Sequence, residues 1–508
     1  MSVNSVYAGA GVAARPGEAT AASWLLVFTL VLAPLFRSGM PALAVLTLEI
    51  LAVALLALVL WRPRPGLLAR AEAIALVLLV AVPLLYLVPL PAPLAQLLPG
   101  REAYLAAQTL ASAGRTKTLS LYPLETESAL LFMLVPIGVF VATRMLDERH
   151  MLRLMHLLLW LAAAQALLGL LQYVASPGSP QLLGLDLPDV QSAVGTYTNR
   201  NHLAGLLEML LPVALALMTF WIGRRDSEAR TGWRAKIAFL GSLRGHVALA
   251  YAAVAVLLLV GLIFTRSRGG IALGVVGVLV STALFARRLG GGNVYGATGT
   301  VVASAVGIGI AIGLAQVLDR FSVGGAIQDG RWTIFSSTLE GVGVFAPLGS
   351  GPGNYPDVFV AFQPLELGEW FINHAHNDYL EWLFEGGIIA AALIVLLLVL
   401  FIRQWVRLLT PATWSLFRFV QVGAGIGVTL LALHSLVDFN LHIPANVVYF
   451  AFLSGVFFSN PATADQPARR PRRRTSDLHD EPKAVSPPAP RQGPKIPPDQ
   501  IPNPFLDE

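Results

Sequence analysis

The feature that most constrains this chain is a succession of long runs almost free of charge. Windows such as Gly39–Trp61, Ala71–Pro91, Val247–Phe264, Val294–Leu318 and Gly387–Ile402 each hold enough apolar residues to cross a hydrocarbon core of about 30 Å as a helix. Of the 508 residues 55% are hydrophobic and only 13% charged, against about 25% charged in soluble domains. A large soluble domain has no room here. The chain reads as an all-α integral membrane protein with about twelve transmembrane helices, near 21–36, 39–61, 71–90, 128–143, 153–175, 203–222, 247–265, 269–286, 294–318, 384–402, 419–438 and 443–459. The first run, Ala21–Phe36, has no convincing cleavage site after it and reads as a retained helix.

Cysteine is absent, which excludes disulfides, thiolate metal sites and cysteine nucleophiles together. The net charge of +5 does not imply nucleic acid, because in a polytopic chain the placement of basic residues matters more than their sum. Lys and Arg concentrate in "RPRPGLLAR", "TRMLDERHMLR", "GRRDSEARTGWRAKIAFLGSLRGH", "ARRL" and "RQWVRLLTPATWSLFR", so these loops are expected on the cytoplasmic side, with both termini. The opposite side then receives the short turn at Arg37, Pro91–Glu127, Ser176–Asn201, the turn Thr265–Gly270, the long loop at 319–385 between the ninth and tenth helices, and a turn around Asp438–His442.

The domain plan is a cytoplasmic segment over 1–20, a polytopic membrane domain over 21–459 and a tail over 460–508. That tail is rich in Pro and Arg and nearly free of aromatics, a composition that predicts disorder. Its "RRPRRR" reads as a topology-fixing anchor, with anionic lipid headgroups as the other reading.

Four outward clusters carry the chemistry. "GTYTNRNHLAG" sets Arg200, Asn201 and His202 at the start of the sixth helix, where Asn201 fits an N-cap. "FTRSRGG" sets Arg266 and Arg268 in a very short turn on the side poor in positive charge; a bound anion is one reason for them and snorkelling to lipid phosphate another. "DGRWTIFSSTLEGVGVFAPLGSGPGNYPDVF" predicts a short amphipathic helix over Thr333–Val342 and then a tight glycine turn. No Lys-Ser/Thr follows those glycines and no strand precedes them, which argues against a phosphate loop. In "HAHNDYLEWLFEGG", Asp378 and Glu381 fit a capping box, leaving His374 and His376 without a structural role. A histidine titrates near neutral pH as a general base requires; with the two histidines two apart and no third ligand evident, no metal is expected. The acidic Asp357, Glu366 and Glu369 could orient sugar hydroxyls or form a solvated loop face. A site with several arginines, a histidine and no nucleotide loop suits a lipid-linked diphosphate, whose leaving group needs cations and whose acceptor hydroxyl needs a base.

The order "TYTNRNHLAGLLEMLLP", "TRSRGGIALG", "DGRWTIF", "PLGSGPGNY", "HAHNDYLEWLFEGGI" and "HSLVDFNLHIPAN" resembles the O-antigen ligase and polymerase family of polytopic bacterial glycosyltransferases, over about 190–460. The resemblance implies a GT-C-type helical fold of the inner membrane, a periplasmic loop over the active site, and metal-independent, inverting transfer of a glycan without a cofactor. The donor would be an undecaprenyl-diphosphate-linked oligosaccharide and the acceptor lipid A core or another glycan; partners would be membrane lipids and polysaccharide-assembly proteins, with no nucleic acid. It implies diphosphate binding by Arg200, by Arg266 or Arg268, and by Arg331, with His376 as base or acceptor orienter and His374 as the fallback. Two rivals are a small-anion or bicarbonate transporter, which mid-helix positions of apolar character argue against, and a non-catalytic scaffold of a polysaccharide-assembly complex.

Overall fold

The computed structural model describes residues 16–460 except 62–65, 103, 105, 108–116, 175–191, 224–232, 290, 314–329 and 412. The expected tail beyond Asn460 lies outside the described residues. Helix dominates: α1 (Pro16–Leu32), α2 (Ala42–Trp61), α3 (Arg70–Tyr86), α4 (Pro123–Arg144), α5 (Glu148–Val174), α6 (Arg200–Gly223), α7 (Leu243–Phe264), α8 (Arg268–Leu289), α9 (Gly292–Ile312), α10 (Arg331–Val344), α11 (Asp378–Leu409), α12 (Leu416–His434) and α13 (Pro444–Phe458). α1 to α9 and α11 to α13 fall on the predicted apolar windows, and α10 on the predicted amphipathic helix of the long loop. Among the described residues, nine helices are long and apolar enough to cross a membrane, while α1 and α13 contribute shorter apolar stretches. Among the described residues one short antiparallel pairing, Pro89–Leu90 with Lys117–Thr118, forms a strand ladder.

The bundle is built around α6. Its apolar stretch is buried throughout, packed by α12, α7, α8, α9, α5 and α13. Lipid tails are as apolar as leucine, so helices associate in a bilayer by close packing rather than by escape from water. Small residues permit that approach. A Cβ on Gly427 of α12 would lie 2.1 Å from the Met209 carbonyl oxygen of α6, and one on Gly423 would lie 3.0 Å from that of Pro212. Four residues apart, these glycines share one helix face.

The segment after α9 builds a second, smaller core at one end of the bundle. Ile334, Phe345, Tyr355, Phe359 and Phe384 pack there with Leu121, so the long loop has a folded platform of its own. Gly387 joins it to the membrane part of α11: at φ 50 and ψ −134 it interrupts the helix. A Cβ there would lie 2.1 Å from the Pro347 carbonyl oxygen, which instead accepts the Ile388 N–H at 2.8 Å. The glycine turn does what a tight turn predicts. Gly349, at φ 77, lets the chain approach within 2.4 Å of the Glu385 carbonyl oxygen, measured from its would-be Cβ.

Candidate active site at one end of the bundle

The predicted polar residues start from three local devices. The start of α6 is capped by Asn199, whose Oδ1 accepts the Asn201 N–H at 2.9 Å; the expectation that Asn201 is the cap is corrected, because its side chain turns instead to Asp438. The turn before α8 is closed by Ser267, whose Oγ accepts the Gly270 N–H at 3.2 Å. The start of α11 is capped by Asn377, which accepts the N–H groups of Tyr379 and Leu380 at 3.1 and 3.0 Å. The expected capping box of Asp378 and Glu381 is therefore not formed, since both carboxylates are drawn to histidines. Arg266 and His376 both hold left-handed backbone, at φ 56 and 52, which costs a residue with a Cβ about 1–3 kcal/mol.

These devices bring the four predicted arginines to one place. Arg200, Arg266, Arg268 and Arg331 line a cavity of about 290 Å³ together with Asn201, Ser267, Gly269 and His434. Both arginines of the α7–α8 turn reach it, so sequence reasoning that had to choose between them meets a wall containing both. The N-terminus of α8 opens on the same cavity through Ser267, Arg268 and Gly269, adding the partial positive charge of a helix start.

Beside the cavity, Asp438 is the hub. Fully buried, it accepts a hydrogen bond from Asn201 Nδ2 at 2.6 Å and an ion-paired one from Arg331 Nη2 at 3.3 Å. His202 Nε2 stands 3.7 Å and His376 Nδ1 3.8 Å from its Oδ1, both beyond hydrogen-bond reach. Burial alone would raise Asp438, but the imidazoles of His202 and His376 and the Arg331 guanidinium hold its carboxyl well below the usual carboxylate range. Phe439 supplies the wall: His376 meets it edge-on at 4.9 Å and His374 stacks on it at 4.4 Å.

His374 belongs to a second network. Its Nδ1 lies 2.9 Å from Glu381 Oε1, while Glu381 Oε2 accepts the Ala375 N–H at 2.7 Å. His442 sits between carboxylates, with Nδ1 2.7 Å from Asp378 Oδ1 and Nε2 3.3 Å from Glu381 Oε1. Burial would lower His442, but Glu381 and Asp378 prevail and push it up to about 10. His374, Glu381 and His442 also offer one ligand atom each within 4.8 Å of one another. The pair of histidines two apart thus does not share one ligand set: His374 joins Glu381 and His442, a grouping in which the fold supplies the further ligands the sequence did not show, and His376 faces Asp438.

A third pair borders the cavity through His434: His434 Nδ1 meets Glu208 Oε1 at 2.9 Å, with both residues buried. The acidic Asp357, Glu366 and Glu369 stay exposed on the platform.

Sequence reading passed over Asp438, His442, Glu208 and His434. Two signals were available. A carboxylate within an apolar run such as "HLAGLLEMLLP" is costly unless paired, and "HSLVDFNLH" carries two histidines and an Asp within a short turn between apolar runs.

The fold and this site define a multi-pass, all-helical membrane protein with a cationic cavity at one end of its bundle and a folded loop platform beside it. Residues 253–395 match the O-Antigen ligase family, and the match supports the O-antigen ligase and polymerase family of glycosyltransferases for this chain. The matched region includes Arg266, Arg268, Arg331, His374 and His376; Arg200 and Asp438 lie outside it. No curated protein matches the chain.

Proposed function

We propose that the protein transfers a glycan from an undecaprenyl-diphosphate-linked donor to an acceptor hydroxyl at the periplasmic face of the bacterial inner membrane, as an O-antigen ligase or surface-polysaccharide polymerase. Both termini are then cytoplasmic, as the distribution of Lys and Arg favours. The observation that carries the reading is the convergence of Arg200, Arg266, Arg268 and Arg331 on one cavity, with Arg331 and His376 sharing Asp438. Guanidinium groups present donor forks that match phosphate oxygens, so the cavity suits the diphosphate and the negative charge that grows on it as the glycosidic bond breaks.

His376 is the candidate base. Asp438 on the Nδ1 side favours the tautomer with its proton on Nδ1, which leaves Nε2 to take the acceptor proton. Attack of that oxygen on the anomeric carbon from the face opposite the departing diphosphate inverts the centre, and no metal is required when arginines carry the leaving-group charge. His374, stacked on Phe439 and held by Glu381, suits a supporting role. A membrane bundle with a folded loop beside its site is in keeping with the GT-C-type design that the resemblance implies.

In a membrane assay with a defined lipid-linked donor, His376→Ala should lower transfer by about a hundredfold or more, the usual range for losing a general base. Arg268→Ala should weaken donor use comparably while insertion persists. Full activity in both variants would sink the assignment, and uptake of a labelled anion into proteoliposomes without any donor would favour the transporter reading.

A further inference from the structure

The Glu208–His434 pair has no role in the reading above, yet His434 lines the cavity. His434 is 1% exposed and Glu208 0%, and Glu208 Oε2 has no hydrogen-bond partner among the described residues. Glu208 occupies the Nδ1 edge of the imidazole. The Nε2 edge faces Gly269, where a Cβ would come within 3.0 Å of it, and both His434 and Gly269 line the cavity. A carboxylate thus anchors a buried imidazole from behind and presents its other nitrogen to the space between the arginines and the start of α8.

We propose that His434 is a further ligand of the anion bound in this cavity, taking up one proton as the anion binds and donating a hydrogen bond from Nε2 to a phosphoryl oxygen. The inference rests on the diphosphate reading above and deepens it.

The charges around His434 oppose one another. Arg266 and Arg268 from the α7–α8 turn, Arg331 from α10 and Arg200 at the start of α6 oppose a further positive charge while the cavity is empty of anion. Glu208 on α6 and Asp438 in the turn after α12 favour it, and His202 beside Asp438 competes for the same carboxylate field. A diphosphate adds negative charge on the Nε2 side and tips that balance. The proton comes from solvent and ends on Nε2, so binding and protonation are linked. A charge-assisted hydrogen bond of this kind supports an effect on affinity of about tenfold or more.

The test is calorimetric titration of the detergent-purified full-length protein with farnesyl diphosphate, at pH 6 and pH 8, in buffers of different ionisation heat. Wild type should take up more protons per ligand bound than His434→Gln, and His434→Gln should bind about tenfold more weakly at pH 6 with a smaller loss at pH 8. The ligand's own titration is common to both proteins and cancels. Gly269→Ala reads the same contact from the other wall, because its Cβ would press on Nε2; it should lower affinity and proton uptake together even if His434→Gln cannot be recovered folded. Arg266→Ala with Arg268→Ala separates the two readings. If those variants lose binding while His434→Gln and Gly269→Ala keep wild-type affinity and proton uptake, the inference fails and the diphosphate reading stands. If wild type does not bind farnesyl diphosphate, both fail.

Discussion

At the scale of single residues, the site is organised by carboxylates that the sequence displays without explaining. Asp378 and Glu381 stand at capping-box spacing, yet Asn377 takes the cap and frees both for histidines, His374 from the same stretch and His442 from far along the chain. Spacing could not reveal this, because His442 lies 64 residues from Asp378 along the chain and only the fold joins them. The consequence is a pH dependence. His442 is raised in the folded protein to about 10, against about 6.5 when unfolded, so its contribution is complete below about pH 6.5 and is lost as the pH rises through about 10. The thermal midpoint of the purified protein should fall across that interval, while His442→Gln should start lower and change less; parallel curves would mean that the carboxylates do not depend on this imidazole. Asp438, held low, behaves oppositely: its contribution is present above the usual carboxylate range and fails only in strong acid.

Among the elements, helices were the most legible part of the chain, because an apolar run long enough to cross a bilayer has few other conformations open to it. What hydropathy could not give was their arrangement. α6 and α2 are both strongly apolar, yet α6 is enclosed and α2 is largely exposed, a difference set by partners rather than composition. The glycines of "VGAGIGV" on α12 locate one such contact. Replacing Gly427 by Ala sets a methyl group against the Met209 backbone, which cannot rotate away as a side chain would. Overpacking of this kind costs about 1–3 kcal/mol, so Gly427→Ala should lower the melting temperature of the detergent-solubilised protein by several degrees, with Ala424→Gly, on the same helix, as a comparison. The break at Gly387 was equally hidden, since "FEGGII" reads as continuous helix until the Pro347 carbonyl arrives.

On the scale of the whole molecule, the arginine clusters were legible as anomalies of side, positive charge where topology expects little, and each one reaches the cavity. Glu208 was not legible in that way: the expectation that mid-helix positions are apolar overlooked it, and its partner His434 is supplied by a helix far along the chain. The enclosure of α6 carries a last consequence. With α12, α7, α8, α9, α5 and α13 around it, the central helix leaves no lipid-facing side, so on the donor reading proposed above the isoprenoid tail stays among the bilayer chains while the diphosphate head enters. On that reading the protein would grip its donor by the handle and ignore the rope: once partitioned into the membrane, donors bearing short and long isoprenoids should turn over at similar rates, and a steep preference for one length would show that the tail is measured after all.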